Sequence, residues 1–371
     1  MALRLSPPKL SSQTTLKTRY DFLIVGQGLA GCLLTRSLMK RGANCLMSGK
    51  TLPLAATPVA AGIMNPVTGK RLAKSWLAEH FLPHARQFYR ELSNRWKVPL
   101  LREGHILRFI KNEEERVRFR KRRLNASFAP YLGEEFPPGH WESKGWRDPL
   151  GSYEIREVAW VDVEKVADTM RRELREQGAW KESLFDHRDL QVLEKGGSWE
   201  NVEATCVVFC EGAKVVENPW FNEWPFAPTR GETLTLKAKP PAADEMLQSG
   251  FWLLSSADDS LRAGSTYDHD DLTSGPSRDG REKILEGLAG FLVSPPQVIG
   301  QGCGLRAGTR DRLPILGRHP ANPSLALFNG FGSKGASWIP KLAEDFADHL
   351  LQGKPLAPEI DLLRFDSLDH S

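Results

Sequence analysis

Residues 20–43, which read YDFLIVGQGLAGCLLTRSLMKRGA, constrain the fold more than any other stretch of the chain. An apolar, β-rich run leads into Gly26-x-Gly28-x-x-Gly31, and an amphipathic helical pattern follows until Gly42. Glycines permit a tight turn and a close backbone approach, and the N-terminus of the following helix offers free N–H groups and a positive dipole end to a pyrophosphate. The unit therefore predicts a dinucleotide-binding βαβ fold.

The second strand of this unit ends without the acidic residue that usually closes it. In dinucleotide-binding units an Asp or Glu stands about 20 residues beyond the glycines and holds the ribose hydroxyls. Here the stretch NCLMSGK ends in Ser48, Gly49 and Lys50, and we interpret Gly49 as the residue that replaces the acid. We predict that the ribose is held by Ser48, by Lys50 or by backbone groups near Gly49.

The length of the chain predicts more than one hydrophobic core. Its 371 residues exceed the roughly 250 to 300 at which a single core stops growing. Strand and helix patterns alternate in three separated parts of the chain, which predicts an α/β fold with a discontinuous nucleotide-binding domain and a second, mostly antiparallel domain. We expect the first domain to comprise residues 20–80, 155–215 and 301–355, and the second to comprise residues 81–154 and 216–300. Residues 1–19 are expected to be a flexible extension and residues 356–371 a tail.

The composition limits the class of protein. The apolar fraction of 40% and the charged fraction of 26% are ordinary for a globular enzyme, and no apolar run approaches the roughly 20 residues of a membrane span. The net charge of +4 is too small to indicate a polyanionic partner. The first 19 positions contain basic residues and no acids. Such a segment is either an organellar transit peptide or a disordered extension.

The cysteines indicate a reducing compartment. They form no C-x-x-C pair and most lie in apolar segments, so we expect buried, reduced thiols and a cytoplasmic location. The five residues are Cys32, Cys45, Cys206, Cys210 and Cys303.

A second glycine turn, residues 330–335, precedes the C-terminal helical pattern. It aims another helix N-terminus at a ligand, and it carries Lys334. A reduced flavin is an anion, which a helix dipole, backbone N–H groups and a lysine would stabilise. A simple strand-to-helix turn with a solvated lysine is the alternative.

The stretch GLRAGTRDRLPILG, residues 304–317, contains three arginines around Asp311. A guanidinium holds a carboxylate through two parallel hydrogen bonds and orients it better than a lysine does. We predict that Arg306, between Leu305 and Ala307, binds a substrate carboxylate. For Arg310 and Arg312 we prefer solvation or pairing with Asp311.

In order and spacing, several stretches resemble the FAD-dependent D-amino acid oxidase superfamily, which includes glycine oxidase, sarcosine oxidase and D-amino acid dehydrogenase. The resemblance implies a Rossmann-like FAD-binding domain of the glutathione-reductase type with a second, substrate-binding domain. It covers most of the chain: the glycine turn at 26–31, WVDVEKVADTM at 160–170, ATCVVFCEGA at 204–213, TRGETLTL at 229–236, LRAGSTYD at 261–268, GLRAGTRDRLPILG at 304–317 and NGFGSKGAS at 329–337.

The resemblance also implies roles for individual residues. The loop AAGIMNPVTGKR occupies the flavin-covering segment, where Asn65, Thr68, Lys70 and Arg71 are candidates for contacts with the ring. Lys70 and Arg71 would also meet an acidic substrate or remain plain surface cations. Arg306 falls where related enzymes hold the substrate carboxylate. The FAD would be bound by Gly26, Gly28, Leu29, Ala30, Gly31, Ser48, Lys50, Gly212, Gly330, Phe331, Gly332, Ser333, Lys334 and Gly335.

Three positions depart from the family pattern. The first is Gly49, which replaces the ribose-binding acid. Cys210 stands where a small alanine is common, and Ala307 replaces the proline that often follows the arginine. Some relatives attach FAD to a cysteine near this arginine, but Cys303 lies one position early, so we expect non-covalent FAD.

The resemblance implies the oxidation of a small amine or amino acid, in which a hydride passes from the α-carbon to flavin N5 and an imine remains. Oxygen or a respiratory component would accept the electrons. Since the flavin supplies the chemistry, neither an acid–base pair nor a metal site is expected, and His80, His84 and His105 are too scattered to form one.

Two other functions stay open. The superfamily includes an oxidoreductase that acts on a modified tRNA base, and RVRFRKRR at residues 116–123 is a basic run. A solvated helix face explains this run equally well, so a nucleic-acid partner is not expected. The chain could also be a non-catalytic FAD-binding subunit.

Overall fold

The computed structural model describes residues 17–256 and 260–365. Within these ranges the α-helices are α1 Leu29–Met39, α2 Ala56–Val59, α3 Ala78–Trp96, α4 Glu113–Arg123, α5 Val163–Glu176, α6 Arg278–Ala289 and α7 Gly335–Gln352. The strands are β1 Thr18–Val25, β2 Cys45–Ser48, β3 Ile63–Met64, β4 Val67–Thr68, β5 Ala73–Lys74, β6 Leu101–Phe109, β7 Leu132–Phe136, β8 Ser152–Val161, β9 Trp180–Lys181, β10 Leu190–Leu193, β11 Gly196–Trp199, β12 Val202–Phe209, β13 Thr229–Lys237, β14 Glu245–Ser249, β15 Phe251–Ser255, β16 Leu261–Gly264, β17 Gln297–Arg306, β18 Ile315–His319 and β19 Asn322–Asn329.

The first sheet forms around the predicted βαβ unit. Its strand order is β10-β11-β12-β1-β2-β9, with β19 beside β12 and β18 beside β19. β1 is parallel to both β2 and β12, and Val25 lies opposite Ser48 on one side and Phe209 on the other. The carboxyl ends of these three strands therefore meet at one edge, where open parallel sheets bind ligands.

Helices α1, α3, α5 and α7 share one apolar core with this sheet. The amphipathic pattern before Gly42 is confirmed as a helix: Leu33, Leu34 and Leu38 of α1 are buried, and Met39 packs partly buried against the same core. On α5, buried residues recur at helical spacing, at Val163, Val166, Met170 and Leu174.

The second sheet is mostly antiparallel, as predicted. Its order is β17-β13-β16-β15-β14-β6-β8-β3, with β7 beside β8. Among the described strands of this second sheet, only β14 and β6 form a parallel pair. α6 packs on β13 and β15, where Ile284 and Leu288 are fully buried. The fold class expected from the sequence is confirmed.

The borders between the segments differ from those expected. The apolar face of α3 packs against α7, so residues 81–96 contribute to the core of the first sheet. Residues 155–161 complete β8 and residues 301–306 complete β17, both in the second sheet. Single strands and helices cross these borders because local hydrophobic periodicity does not reveal which core an element joins.

Both ends of the described chain also differ from the expectation. β1 begins at Thr18 and pairs with β12, so residues 18 and 19 belong to the first sheet. Ile360 and Leu362 are buried against this sheet, so residues 356–365 are not a free tail. The predictions for residues 1–16 and 366–371 lie outside the described residues.

All five cysteines are free and buried, as expected. Among the described residues, no helix combines the length and the apolar character of a bilayer-crossing segment.

Leu362→Ala is expected to lower the free energy of unfolding by about 2 to 5 kcal/mol, because truncating a buried leucine leaves a cavity. Leu362 is 1% exposed and packs over Gly317. The neighbouring Leu363 is 49% exposed, so Leu363→Ala should change stability by less than about 0.5 kcal/mol. Denaturant unfolding of both variants provides the comparison, and equal small effects would contradict the packing of this segment.

Candidate active site

A cavity of about 1440 Å³ lies between the two sheets. It begins at the carboxyl ends of β1 and β2, passes the loop 49–71 and the turn before α7, and opens beside α4. All but three of the predicted site residues line it; the exceptions are Gly31, Gly330 and Arg71. The fold therefore brings stretches far apart in the sequence to one continuous surface.

The three glycines of the first turn have different roles. Gly26 has φ +115°, and a side chain there would overlap the Cys210 carbonyl. A side chain at Gly31 would overlap the Gly26 carbonyl. Gly28, by contrast, lines the cavity, and its added Cβ would meet only the Thr57 hydroxyl at 3.2 Å. Gly26 and Gly31 therefore allow the turn to close, whereas Gly28 leaves space for a ligand.

Thr57 contacts the N-terminus of α1 directly, which the sequence pattern did not indicate. The backbone N–H of Leu29 donates to Thr57 Oγ1 at 3.2 Å. Thr57 belongs to the short helix α2, in the segment that follows β2. A hydroxyl and free helix N–H groups at the same end of the cavity suit a pyrophosphate.

The ribose prediction needs a correction at Gly49. A Cβ on Gly49 would lie 2.8 Å from the Gln27 backbone nitrogen, so no acidic side chain fits there without a backbone shift. Ser48 is the last residue of β2, is fully buried and lines the cavity. Its hydroxyl has no hydrogen-bond partner among the described residues. Ser48, and not Gly49, therefore stands where such units carry their acid, and its hydroxyl fits a ribose.

The second glycine turn delivers Lys334 into the cavity wall. Lys334 Nζ donates to the Asn65 carbonyl at 3.2 Å and to Ser75 Oγ at 3.0 Å. Desolvation lowers the pKa of Lys334 to about 8, and no carboxylate lies within 4 Å of it among the described residues. The alternative of a solvated lysine is therefore wrong. This buried cation at the N-terminus of α7 favours an anionic ligand, as a reduced flavin is.

Asn65 and Thr68 lie in the loop that Lys334 holds. Asn65 is buried, and its Oδ1 accepts a hydrogen bond from the Val67 N–H at 3.0 Å. Both residues line the cavity. Lysine and loop together form one wall of the site, which fits the predicted flavin-covering segment.

Arg306 is a further cation of the cavity wall, and it is partly buried. It leaves β17 beside Gly231 of β13, where any side chain would overlap its guanidinium. Arg306 Nη2 donates to Ser265 Oγ at 2.8 Å, and Nη1 donates to the Thr266 carbonyl at 3.2 Å. The Tyr267 ring centroid lies 4.2 Å from the guanidinium carbon.

No carboxylate lies within 4 Å of Arg306 among the described residues. Burial lowers the pKa of Arg306, although a guanidinium remains charged at neutral pH. Arg310 and Arg312 are exposed, as preferred from the sequence, and Asp311 pairs with Arg364 at 3.0 Å. The arginine that lines the cavity is thus available to a ligand carboxylate.

The mouth of the cavity is basic. Lys70 lines it, whereas Arg71 lies outside, in a groove along α4. Arg118 donates to the Lys70 carbonyl at 2.6 Å and borders both spaces. Of the two cations predicted to meet a substrate, the cavity includes only Lys70.

Cys303 lies away from the cavity, while Gly304 and Arg306 line it. Alternate residues of a strand face opposite sides, so Cys303 points to the other face of β17, with its Sγ 3.9 Å from the Ser274 carbonyl. This geometry supports the prediction of non-covalent FAD. In the described parts of the chain, no three His, Cys, Asp or Glu side chains cluster as metal ligands would.

Sequence comparisons find relatives of two kinds. The chain is 23% identical over 358 residues to a tRNA 5-methylaminomethyl-2-thiouridine biosynthesis bifunctional protein from Marinobacter nauticus, covering 89% of this chain but only 55% of that protein. It is 22% identical to glycine oxidase from Bacillus licheniformis, covering 93% of this chain and 96% of that enzyme.

A solved structure shares the fold. Glycine oxidase from Geobacillus kaustophilus superimposes with a TM-score of 0.78 at 21% identity, covering 95% of this chain and 99% of that one. A family model described as FAD dependent oxidoreductase matches residues 21–349. The resemblance found in the sequence is confirmed, and the glycine turn, the free Ser48 hydroxyl and the buried Lys334 fit FAD. The chain belongs to the FAD-dependent oxidoreductase family.

Proposed function

We propose that the protein oxidises a small amine or amino acid that carries a carboxylate. The observation that supports this most is the partly buried Arg306 guanidinium, which lines the cavity without a carboxylate partner among the described residues. An uncompensated buried charge costs several kcal/mol, so such a group is retained where a ligand neutralises it. The similarity to glycine oxidase agrees with a small amino acid as substrate.

In this proposal the two domains have separate tasks. The glycine turn, the N-terminus of α1, Ser48 and Lys50 hold the adenosine diphosphate half of FAD, and the turn before α7 holds the flavin end. Arg306 orients the substrate by its carboxylate, with Lys70 at the entrance. The chemistry that FAD supplies when bound is acceptance of a hydride from the α-carbon, which leaves an imine for hydrolysis. The protein contributes orientation and exclusion of water.

Arg306→Ala is expected to lower kcat/KM for glycine, sarcosine and D-amino acids by about 100-fold, because a paired charge-assisted contact is lost. Arg310→Ala, on the same segment but exposed, should leave kcat/KM within about twofold. Stopped-flow reduction of the flavin without air measures both variants, and readmission of air then tests oxygen as the acceptor. Unchanged reduction of Arg306→Ala by every carboxylate substrate would refute the proposed role.

Lys334→Met is expected to stabilise the flavin-free protein at neutral pH, and the gain should shrink as the pH rises. The folded pKa of about 8 lies below the ordinary value of 10.5, so the unfolded state binds more protons between these values. The cost of burying the ammonium is therefore fully present below about pH 8 and is lost progressively as the pH rises from about 8 to 10.5.

The measurement is the difference in free energy of unfolding between Lys334→Met and the unsubstituted protein, from about pH 7 to about pH 10. Lys341→Met serves as the control, because Lys341 lies on the same helix and forms an ion pair with Asp345. A difference for Lys334→Met that stays constant with pH would contradict the buried charge.

We propose a second candidate, oxidation of an amine carried by an RNA, because a basic groove continues from the cavity mouth. The groove lies along α4, and Glu114 and Arg118 border both the groove and the cavity. Although the acidic Glu114 also lines the groove, the cations around it are not paired with acids in the part of the chain that the structure describes. None of the cations at the cavity mouth and in the groove has an ion-pair partner within 4 Å among the described residues. These cations are Lys70, Arg71, Lys111, Arg118, Lys121 and Arg122. The Marinobacter relative is named for tRNA modification, which supports this candidate.

If RNA binds in the groove, a variant with Arg71→Ala and Lys121→Ala should bind tRNA more weakly. Each lost phosphate contact should also reduce the slope of log affinity against log salt by about 0.7 to 0.9. Lys165→Ala, on α5, is the control. Electrophoretic mobility shifts across a salt series measure the slopes, and identical slopes for all three proteins would exclude the groove as an RNA site.

A further inference from the structure

The loop 265–277, between β16 and α6, places the Tyr267 ring against the guanidinium of Arg306, a cation that lines the cavity. Tyr267 is 63% exposed, yet its ring centroid lies 4.2 Å from the Arg306 guanidinium carbon. Tyr267 lines the cavity, and its hydroxyl makes no hydrogen bond to any described residue. The position of this ring is therefore set by the loop and the guanidinium and not by burial.

Arg230 fixes the loop in this position. Its backbone N–H donates to the Asp268 carbonyl at 2.8 Å, and the Asp268 N–H donates back at 2.9 Å. The buried Arg230 guanidinium pairs with the Asp268 carboxylate at 2.9 Å and donates to the Gly275 carbonyl at 2.9 Å. Both ends of the loop are thus tied to β13, the strand that also carries Gly231.

Protein groups already contact the Arg306 guanidinium from several elements. The backbone of Gly231 lies directly against it. Ser265 and Thr266 accept its hydrogen bonds, and the Tyr267 ring lies against it as well. Arg306 also lines the cavity, so its N–H groups outside these hydrogen bonds are available to a carboxylate bound there.

A buried cation can be stabilised by an acid or by the face of an aromatic ring. An acid would form an ion pair with Arg306 and compete with an incoming carboxylate. A ring attracts the cation through its quadrupole and accepts none of its in-plane hydrogen bonds. Tyr267 provides the second kind of stabilisation, and Arg306 has no acid beside it among the described residues.

We propose that Tyr267 is a positioning residue for substrate recognition: its ring keeps the Arg306 guanidinium correctly oriented and free to take a carboxylate. This inference rests on the proposed function, because it concerns the same carboxylate site. The aromatic face carries the effect and the hydroxyl does not. The ring affects binding of the carboxylate and not the hydride transfer that follows binding.

The test is titration of the FAD-loaded protein with acetate, followed through the change in flavin absorbance. Tyr267→Phe should bind acetate as the unsubstituted protein does, whereas Tyr267→Leu should bind it about 3- to 30-fold more weakly, the range from an exposed to a desolvated cation–π contact. With glycine or sarcosine, Tyr267→Leu should raise KM by a similar factor and leave kcat within about twofold. Because Tyr267 is exposed, these variants are expected to fold.

Phe365→Leu is the matched control, since the Phe365 ring lies 4.3 Å from the Arg364 guanidinium away from the cavity. Equal acetate affinity in Tyr267→Leu and the unsubstituted protein would overturn the inference, as would a loss in Tyr267→Phe as large as in Tyr267→Leu. Arg306→Ala distinguishes a failure of the proposed function from a failure of the role of Tyr267. If Arg306→Ala binds acetate normally, the proposed function fails. If it loses acetate while Tyr267→Leu keeps it, only the role of Tyr267 fails.

Discussion

Three stretches of backbone meet at the end of β1 without side chains between them, and the rest of the site depends on this contact. Gly26 touches the Cys210 carbonyl, and Gly31 touches the Gly26 carbonyl. Because neither position accepts a Cβ, β1, β12 and α1 approach more closely than any other residues would allow. The edge of the first sheet, the N-terminus of α1 and the start of the cavity are all placed by this approach.

Two cations then define the chemistry of the cavity. Lys334 comes from the end of the first sheet and Arg306 from an edge strand of the second, and neither has a carboxylate within 4 Å in the described ranges. Their neighbours are carbonyls, hydroxyls and an aromatic ring. Such neighbours orient a charge without neutralising it, which leaves the neutralisation to ligands.

Local patterns predicted the βαβ unit, both glycine turns and Arg306, because each depends on residues that are close in sequence. They could not predict Thr57 or Tyr267, since these act through contacts with α1 and β17, which are distant in sequence. We placed the position of the missing ribose-binding acid at Gly49, one residue after the end of the strand. Only the register of β2 against β1 shows that the strand ends at Ser48. We assigned most of α3 to the second domain, whereas it packs in the core of the first sheet. The reason is related, because the amphipathic stripe of a helix does not identify the element against which it packs.

The discontinuous first sheet also determines when the chain can fold. β1 pairs with β12, whose residues follow about 180 positions later, and the core over α1 is completed only by α7 near the end of the described chain. Contacts between such distant segments are slow to form because a long loop must close first. During synthesis the apolar face of α1 would therefore be covered only in part, by α5, until residues 335–352 leave the ribosome. A nascent chain of this architecture depends on chaperones for longer than one whose domains are continuous in sequence.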